Sequence, residues 1–262
     1  MSSDAAPTTP VIDVRTALLD ENARLAELVR TADHGTEIPT CPGWTLTQLL
    51  RHVGRGHRWA ATMITERVTE PLDPRQVPGG KPPADLDGTA AWLREGAQAV
   101  LDAVDAVGPE APAWTFTGPK PSAWWIRRRL HEETAHRADV QLALGQDSDL
   151  DPALAADGLS EWLDLLAARR GRELLPEGVT LHLHATDGDL GPAGEWTVRP
   201  DGVGERAGIA WEHGHAKGTV AVRGPATVLY LAALRRLPAD DSRLEVFGDA
   251  AVLDAWLAGT PF

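Results

Sequence analysis

Apolar side chains in the first half of the chain recur at three- and four-residue steps, the period of a helix with one buried face. Val14, Leu18, Leu19, Leu25, Leu28 and Val29 mark such a face and predict a helix over 13–31, after a loose tail over 1–11. Residues 39–43 break the pattern with Pro and Gly. Thr45, with Gln48 three residues later, has the spacing of a capping box, so a second helix starts there and is expected to reach about Val68. A stretch rich in Pro, Gly and Asp over 70–86 reads as a loop. Ala91, Trp92, Ala97, Val100, Leu101 and Val104 then predict a third helix over 88–107. A second breaker stretch, 108–121, precedes a fourth helix over 122–144 that stops at Gly145. Four helices separated by breakers pack naturally as an antiparallel bundle.

The pattern changes after Asp151. One more helix, 153–171, leads into alternating segments over 179–185, 196–199 and 217–223, the signature of short strands. A helix over 225–236, a strand over 243–247 and a last helix over 249–258 complete a small α/β domain. The chain therefore reads as α+β, with a helical domain at 1–150 and an α/β domain at 151–262.

Composition narrows the function. The net charge of −13 disfavours a nucleic-acid surface, which is normally basic. Cys41 is the sole cysteine, so no intramolecular disulfide can form and a reducing compartment fits. The N-terminus lacks the basic start and apolar run of a secretory signal, and no run is long and apolar enough to span a membrane. A cytoplasmic location is expected. Arginine far outnumbers lysine, which occurs only at Lys81, Lys120 and Lys217, a bias of GC-rich genomes.

The fourth helix holds the chemistry. Trp125, Arg129, Glu132, His136 and Asp139 follow one another by four, three, four and three residues and so share one face. Leu130, Ala135, Ala138 and Leu142 flank them, the mark of a wet cavity inside a bundle. Glu132 and His136, one turn apart, can address a single metal ion. A His-Glu-x-x-His protease motif is not present: His131 and His136 are five apart, which turns them about 140° from each other. The second helix offers a third ligand in His52 or His57. His52 is favoured, because it shares a face with Gly56, Trp59 and Met63, whereas His57 lies nearer Leu49, Leu50 and Val53. Two histidines and one glutamate would leave a coordination position open, as catalytic zinc requires. The competing reading is a salt-bridged Glu–His pair.

Other residues are set aside. Cys41, before Pro-Gly at a helix entrance, reads as structural. His182 and His184 share one face of a strand and, with His213 and His215, are reminiscent of a second metal site. No cysteine or carboxylate is visibly arranged with them, so they read as half-buried strand histidines. Most of the ten tryptophans read as core, with Trp59 and Trp125 as candidates to line the cavity.

These residues and their flanks resemble a known family. Thr40-Cys41-Pro42-Gly43-Trp44-Thr45 with Leu49-Leu50-Arg51-His52-Val53 resembles the entry to the second helix in mycothiol-dependent maleylpyruvate isomerases. Arg128-Arg129-Leu130-His131-Glu132-Glu133-Thr134-Ala135-His136-Arg137-Ala138-Asp139 resembles their fourth helix. Val222-Arg223-Gly224-Pro225-Ala226, Arg235-Arg236 and Leu244-Glu245-Val246-Phe247-Gly248-Asp249 follow the order of their second domain. The resemblance covers about 12–262. It implies a DinB-like four-helix bundle joined to a small α/β domain. It implies Zn2+, or another divalent metal, on His52, Glu132 and His136, and mycothiol as the thiol cosubstrate. An arginine of the second domain is expected to meet the substrate: Arg235 matches best, and Arg236 is the alternative and a cofactor-binding candidate. The segment before them lacks the family's usual tryptophan and glycine. Asp139 is expected to orient a metal ligand, with a surface ion pair to Arg137 or Arg129 as the equal alternative.

The implied activity is isomerisation of a maleylpyruvate-like cis-alkene acid, or transfer of the thiol to another small electrophile, by a monomer or small homo-oligomer without nucleic-acid or membrane partners. The alternatives are a non-catalytic ligand-binding module and a metal-dependent hydrolase, for which Glu133 points the wrong way to serve as base.

Overall fold

The computed structural model describes residues 12–262, so the tail expected over 1–11 lies outside the described residues. The chain forms two compact units, one of Asp13–Ser148 and one that includes Asp149–Phe262.

The first unit holds α1 (Val14–Thr31), α2 (Leu46–Thr65), α3 (Leu86–Val107) and α4 (Trp124–Ala143), with a two-strand ribbon, β1 (Pro112–Ala113) and β2 (Lys120–Pro121), before α4. The Asp13 carboxylate caps α1 by accepting from the Arg15 and Thr16 N–H groups. At the start of α2 the Gln48 side chain accepts from the Thr45 N–H at 2.6 Å, the reciprocal half of the expected capping box. The helix ends at Thr65, short of the expected Val68, because Arg67 takes a left-handed φ of 51°. α1 packs on α3 and α4, and α2 packs on α3. Leu25, Val29, Leu49, Leu50, Val53, Leu93 and Val140 form one dry core. Gly54 lets α2 approach α3, since a Cβ there would lie 2.1 Å from the Trp92 ring.

α4 is buried almost all round, yet Arg128, Arg129, His131, Glu133, His136, Arg137 and Asp139 are among its buried residues. Such a helix is stable only if its polar groups find partners inside the bundle. The charged ones are answered across the bundle: Arg137 pairs with Glu21 of α1, and Glu133 meets Asn22 of α1 and His57 of α2.

The second unit opens with α5 (Pro152–Ala168) and builds a sheet from β3 (Leu181–Ala185), β4 (Glu195–Asp201), β5 (Gly208–His213), β6 (Val220–Gly224) and β7 (Glu245–Gly248). The order is β5-β4-β3-β6-β7, with β3 parallel to β6 and every other pairing antiparallel. α6 (Ala226–Ala233) and α7 (Ala250–Gly259) complete it. α5 ends before the expected residue 171. β5 is a strand that the hydrophobic pattern did not mark, because only Ile209 and Trp211 alternate between flanking glycines. Register sorts the faces. Leu181 and Leu183 stand beside Val198 and Trp196 on one neighbour and Val220 and Val222 on the other. This apolar face meets the helices: the Trp196 indole donates to Ser160 of α5 at 2.9 Å, and Leu183 and Val222 share an apolar pocket with Leu229 of α6 and Trp256 of α7. The opposite face carries His182, His184, Glu195 and Thr197.

Candidate metal centre in the helical bundle

A tight turn sets one wall of the site. Pro42 and Gly43 occupy its central positions, Gly43 has φ 81°, and the Trp44 N–H donates to the Cys41 carbonyl at 3.0 Å. Pro followed by Gly is the pairing a type II turn demands. The turn delivers Cys41 and Trp44 to the side of α4 where His136 lies. The Trp44 ring stacks on His136 with centroids 6.2 Å apart and lies 5.1 Å from the His52 ring. Two turns into α2, His52 crosses to α4.

The structure brings His52, Glu132 and His136 together. His52 Nε2 is 3.0 Å from Glu132 Oε1, and His136 Nε2 is 3.5 Å from the same oxygen. One donor atom from each residue lies within 4.8 Å of the other two. Nitrogen and oxygen ligands about 2.0–2.2 Å from a tetrahedral ion stand roughly 3.3–3.6 Å apart, so this donor set fits a divalent metal. Zinc accepts both donor types.

The surroundings orient the three residues. The second oxygen of Glu132 is held by Arg128. The Asp139 carboxylate is 2.9 Å from His136 Nδ1, which turns Nε2 toward Glu132. Asp139 is fully buried, so the surface ion pair that the sequence equally allowed is not its role. Cys41 Sγ donates to Asp139 Oδ2 at 3.4 Å, which places the thiol behind the histidine. The electrostatics follow. Burial pushes the Glu132 carboxyl up, but Arg128 and the hydrogen bonds from His136 and His52 outweigh it and hold the group well below its usual range. Burial pushes His136 down, but hydrogen bonds to Asp139, Cys41 and Glu132 hold it well above. His52 is lowered, by burial against the pull of Glu132.

His57, the other candidate on α2, goes elsewhere: it is fully buried and paired with Glu133. Trp59 and Trp125 meet edge to face at 5.4 Å near Trp114, Trp124 and Phe116. Trp125 is enclosed there, its indole donating to the Trp114 carbonyl, and seven residues along α4 set it about 10 Å from Glu132 along the axis. The aromatic ring beside the donor cluster is Trp44, which sequence reasoning quoted only as part of a motif. In the second unit Arg235 is exposed just past α6 with a left-handed φ of 62°. Arg236 lays its guanidinium over the Phe262 ring at 4.5 Å and donates to the Leu234 carbonyl.

Fold and donor set together define a helical-bundle protein with a two-histidine, one-carboxylate candidate metal site, continued by a five-stranded mixed sheet with helices. Residues 15–141 match the family described as the mycothiol maleylpyruvate isomerase N-terminal domain, and residues 153–255 match its C-terminal domain. The chain belongs to the mycothiol maleylpyruvate isomerase family. It is similar to the uncharacterized proteins MT0763 and Rv0738 of two Mycobacterium tuberculosis strains, CDC 1551 / Oshkosh and ATCC 25618 / H37Rv. Each is 32% identical over 148 residues, covering 54% of this chain and 71% of the relative. Crystal structures of the mycothiol-dependent maleylpyruvate isomerase and of a histidine-to-alanine mutant share the fold, with TM-scores of 0.59 and 0.60 at 14% and 13% identity. Both alignments cover 90% of this chain and 92% of the other. Among the described residues no helix is long and apolar enough to cross a membrane.

Proposed function

We propose that this protein is a metal- and mycothiol-dependent enzyme that isomerises a maleylpyruvate-like cis-alkene acid or joins the thiol to a related electrophile. The observation that carries this reading is the convergence of His52, Glu132 and His136 inside a bundle of this family. These three residues would hold the ion, with zinc favoured by the ligand types. An ion held there would supply a lowered pKa for a thiol that reaches it, and so a nucleophile near neutral pH.

The chain's own residues supply the rest. Asp139 fixes the His136 ring so that Nε2 faces inward, and Arg128 fixes Glu132 in the same way. Trp44 walls the site and excludes water from one side, in place of the enclosed Trp125, while Trp59 and its aromatic neighbours stiffen the start of α4. A cis-alkene acid that takes up a thiol across its double bond can rotate about the new single bond. Loss of the same thiol then leaves the trans isomer and regenerates the thiol. Arg235, with Arg236 as the alternative, is assigned to a substrate carboxylate.

The test is elemental analysis of purified protein beside His52→Ala and His136→Ala variants, together with a maleylpyruvate assay with and without mycothiol. About one zinc ion per bundle lost in both variants, and turnover only with the thiol, is expected. Turnover that persists without any thiol would favour water activation instead. An Arg235→Ala variant that keeps its metal but shows a raised KM would support the carboxylate role, and unchanged kinetics would remove it.

A further inference from the structure

The sheet of the second unit carries another cluster of imidazole and carboxylate side chains, and register is what assembles it. β3 places His182 and His184 on one face, and β4 sets Glu195 directly opposite His184. Glu195 reaches diagonally, so that its Oε2 lies 3.0 Å from His182 Nε2. The turn after β5 then folds His215 back over this face, with its Nδ1 2.8 Å from the same carboxylate oxygen. The donor atoms of His182, Glu195 and His215 all lie within 4.8 Å of one another. The His184 ring stands 6.1 Å from that of His182 and 6.5 Å from that of His215, on the same side. His213 is excluded, since it is opposite Trp196 and its ring sits near Trp196 and Trp211 on the other face.

We propose that His182, Glu195 and His215, with His184 beside them, form a second site for a divalent first-row transition ion, zinc foremost. Imidazole nitrogens with one carboxylate are the ligand set that zinc, nickel and copper(II) share, and soft sulfur ligands are not needed. The placement is also that of a built site. His182 is buried beneath the turn at Gly218, where an added Cβ would sit 3.1 Å from the His182 Cβ, so the inner ligand is rigid. Glu195 is partly covered, and His215 is 76% exposed, so an ion can enter from the outer side. Bound there, an ion ties β3, β4 and the turn between β5 and β6 into one unit. The site shares no residue with the bundle cluster, and its existence does not depend on the proposed function.

The experiment counts ions in the full chain after chelator treatment, by titration with Zn2+ and then with Cu2+. A His136→Ala background removes a ligand of the bundle cluster, and His52→Ala serves as a second background should the first fold poorly. In either background about one Zn2+ per chain should still bind. That ion should be lost on adding His215→Ala, a safe substitution because the side chain is exposed, and on adding Glu195→Gln. Bound Cu2+ should show nitrogen hyperfine coupling in its electron paramagnetic resonance spectrum, and fewer nitrogens in the His215→Ala form. Zn2+ binding that is unchanged by both second-unit substitutions, or that is absent in a folded His136→Ala or His52→Ala protein, would overturn the proposal.

Discussion

Two neighbouring glutamates on α4 each meet a histidine of α2, and the two pairs have opposite characters. Glu133 and His57 are both fully buried. The Asn22 amide nitrogen donates toward both Glu133 oxygens, at 3.2 and 3.3 Å, and Arg129 Nε donates to His57 Nδ1 at 3.3 Å. Because Nδ1 accepts, the His57 proton sits on Nε2 and points at Glu133. Burial lowers the His57 pKa, against the pull of Glu133, and keeps the ring neutral. Each polar group in this pair faces a protein partner, so it acts as an internal clip among α1, α2 and α4. Glu132 and His52 meet at 3.0 Å, but the His52 side chain is 41% exposed and His136 brings a third donor to the same oxygen. The same two residue types on the same two helices thus give a clip in one place and a candidate reactive site in the other. The deciding features are a third ligand-type side chain and an open side, not the pair itself.

The comparison breaks most visibly at the closed pair. Glu133→Ala strands the neutral His57 and Asn22 in the core and should cost about 1–3 kcal/mol for each stranded group in urea unfolding, with the metal content of the surviving folded protein unchanged. Replacing Glu133 and His57 together by leucine should recover part of that loss, because the histidine is no longer stranded, although Asn22 and Arg129 each still lose one partner. Equal stability of wild type and Glu133→Ala would remove the clip from the account.

At the open pair the order of effects reverses. His136→Ala leaves the buried Asp139 carboxylate without its imidazole partner and should also cost stability, but its leading expected effect is on the metal. Metal affinity should fall by more than the roughly 10–100-fold that loss of an outer partner brings. Equilibrium dialysis against a zinc buffer measures this, and an unchanged dissociation constant would show that His136 is not a ligand.

Much of this was visible in the order of residues, and the parts that were not have physical reasons. The four bundle helices declare themselves through apolar steps and intervening Pro and Gly, and the stripe from Trp125 to Asp139 contains Glu132, His136 and Asp139 of the candidate site, although Trp125 and Arg129 pack elsewhere. The neighbours of His52 and His57 on α2 favour His52, and packing turns His57 to Glu133, but the stripe by itself could not choose between them. Nor could it show that Glu21 and Asn22 of α1 answer the other face of α4, because the partners are more than 100 residues apart in sequence. Trp44 had a local signal, a Pro-Gly turn just ahead of a helix cap, but its stacking on His136 depends on where that turn lands. The clearest omission is Glu195. A carboxylate opposite His184 is a fact of strand register, and register between separated strands is not written in the period of either one.

The finest discrimination lies in the partner behind His136. Asp139→Asn keeps the shape of the side chain and removes its charge. Zinc affinity should drop by about 10–100-fold while the site still fills at saturating metal, a smaller loss than for a ligand itself. Its effect on pH dependence is more telling. In the metal-free fold His136 holds its proton well above the usual range, and that proton must leave before Nε2 can bind an ion. Apparent affinity should therefore weaken by about tenfold per pH unit as pH falls below the raised value, and level off above it. Glu132, held well below its usual range, adds nothing near neutrality, and His52, lowered, joins only at more acidic pH. Asp139 is the first of the groups that raise His136, so Asp139→Asn should move the onset of that slope to lower pH. Zinc titrations across pH in both proteins measure the slope and its onset. Parallel profiles with a common onset would mean that Asp139 only packs against the ring, and the contrast between the open and closed pairs would then rest on exposure alone.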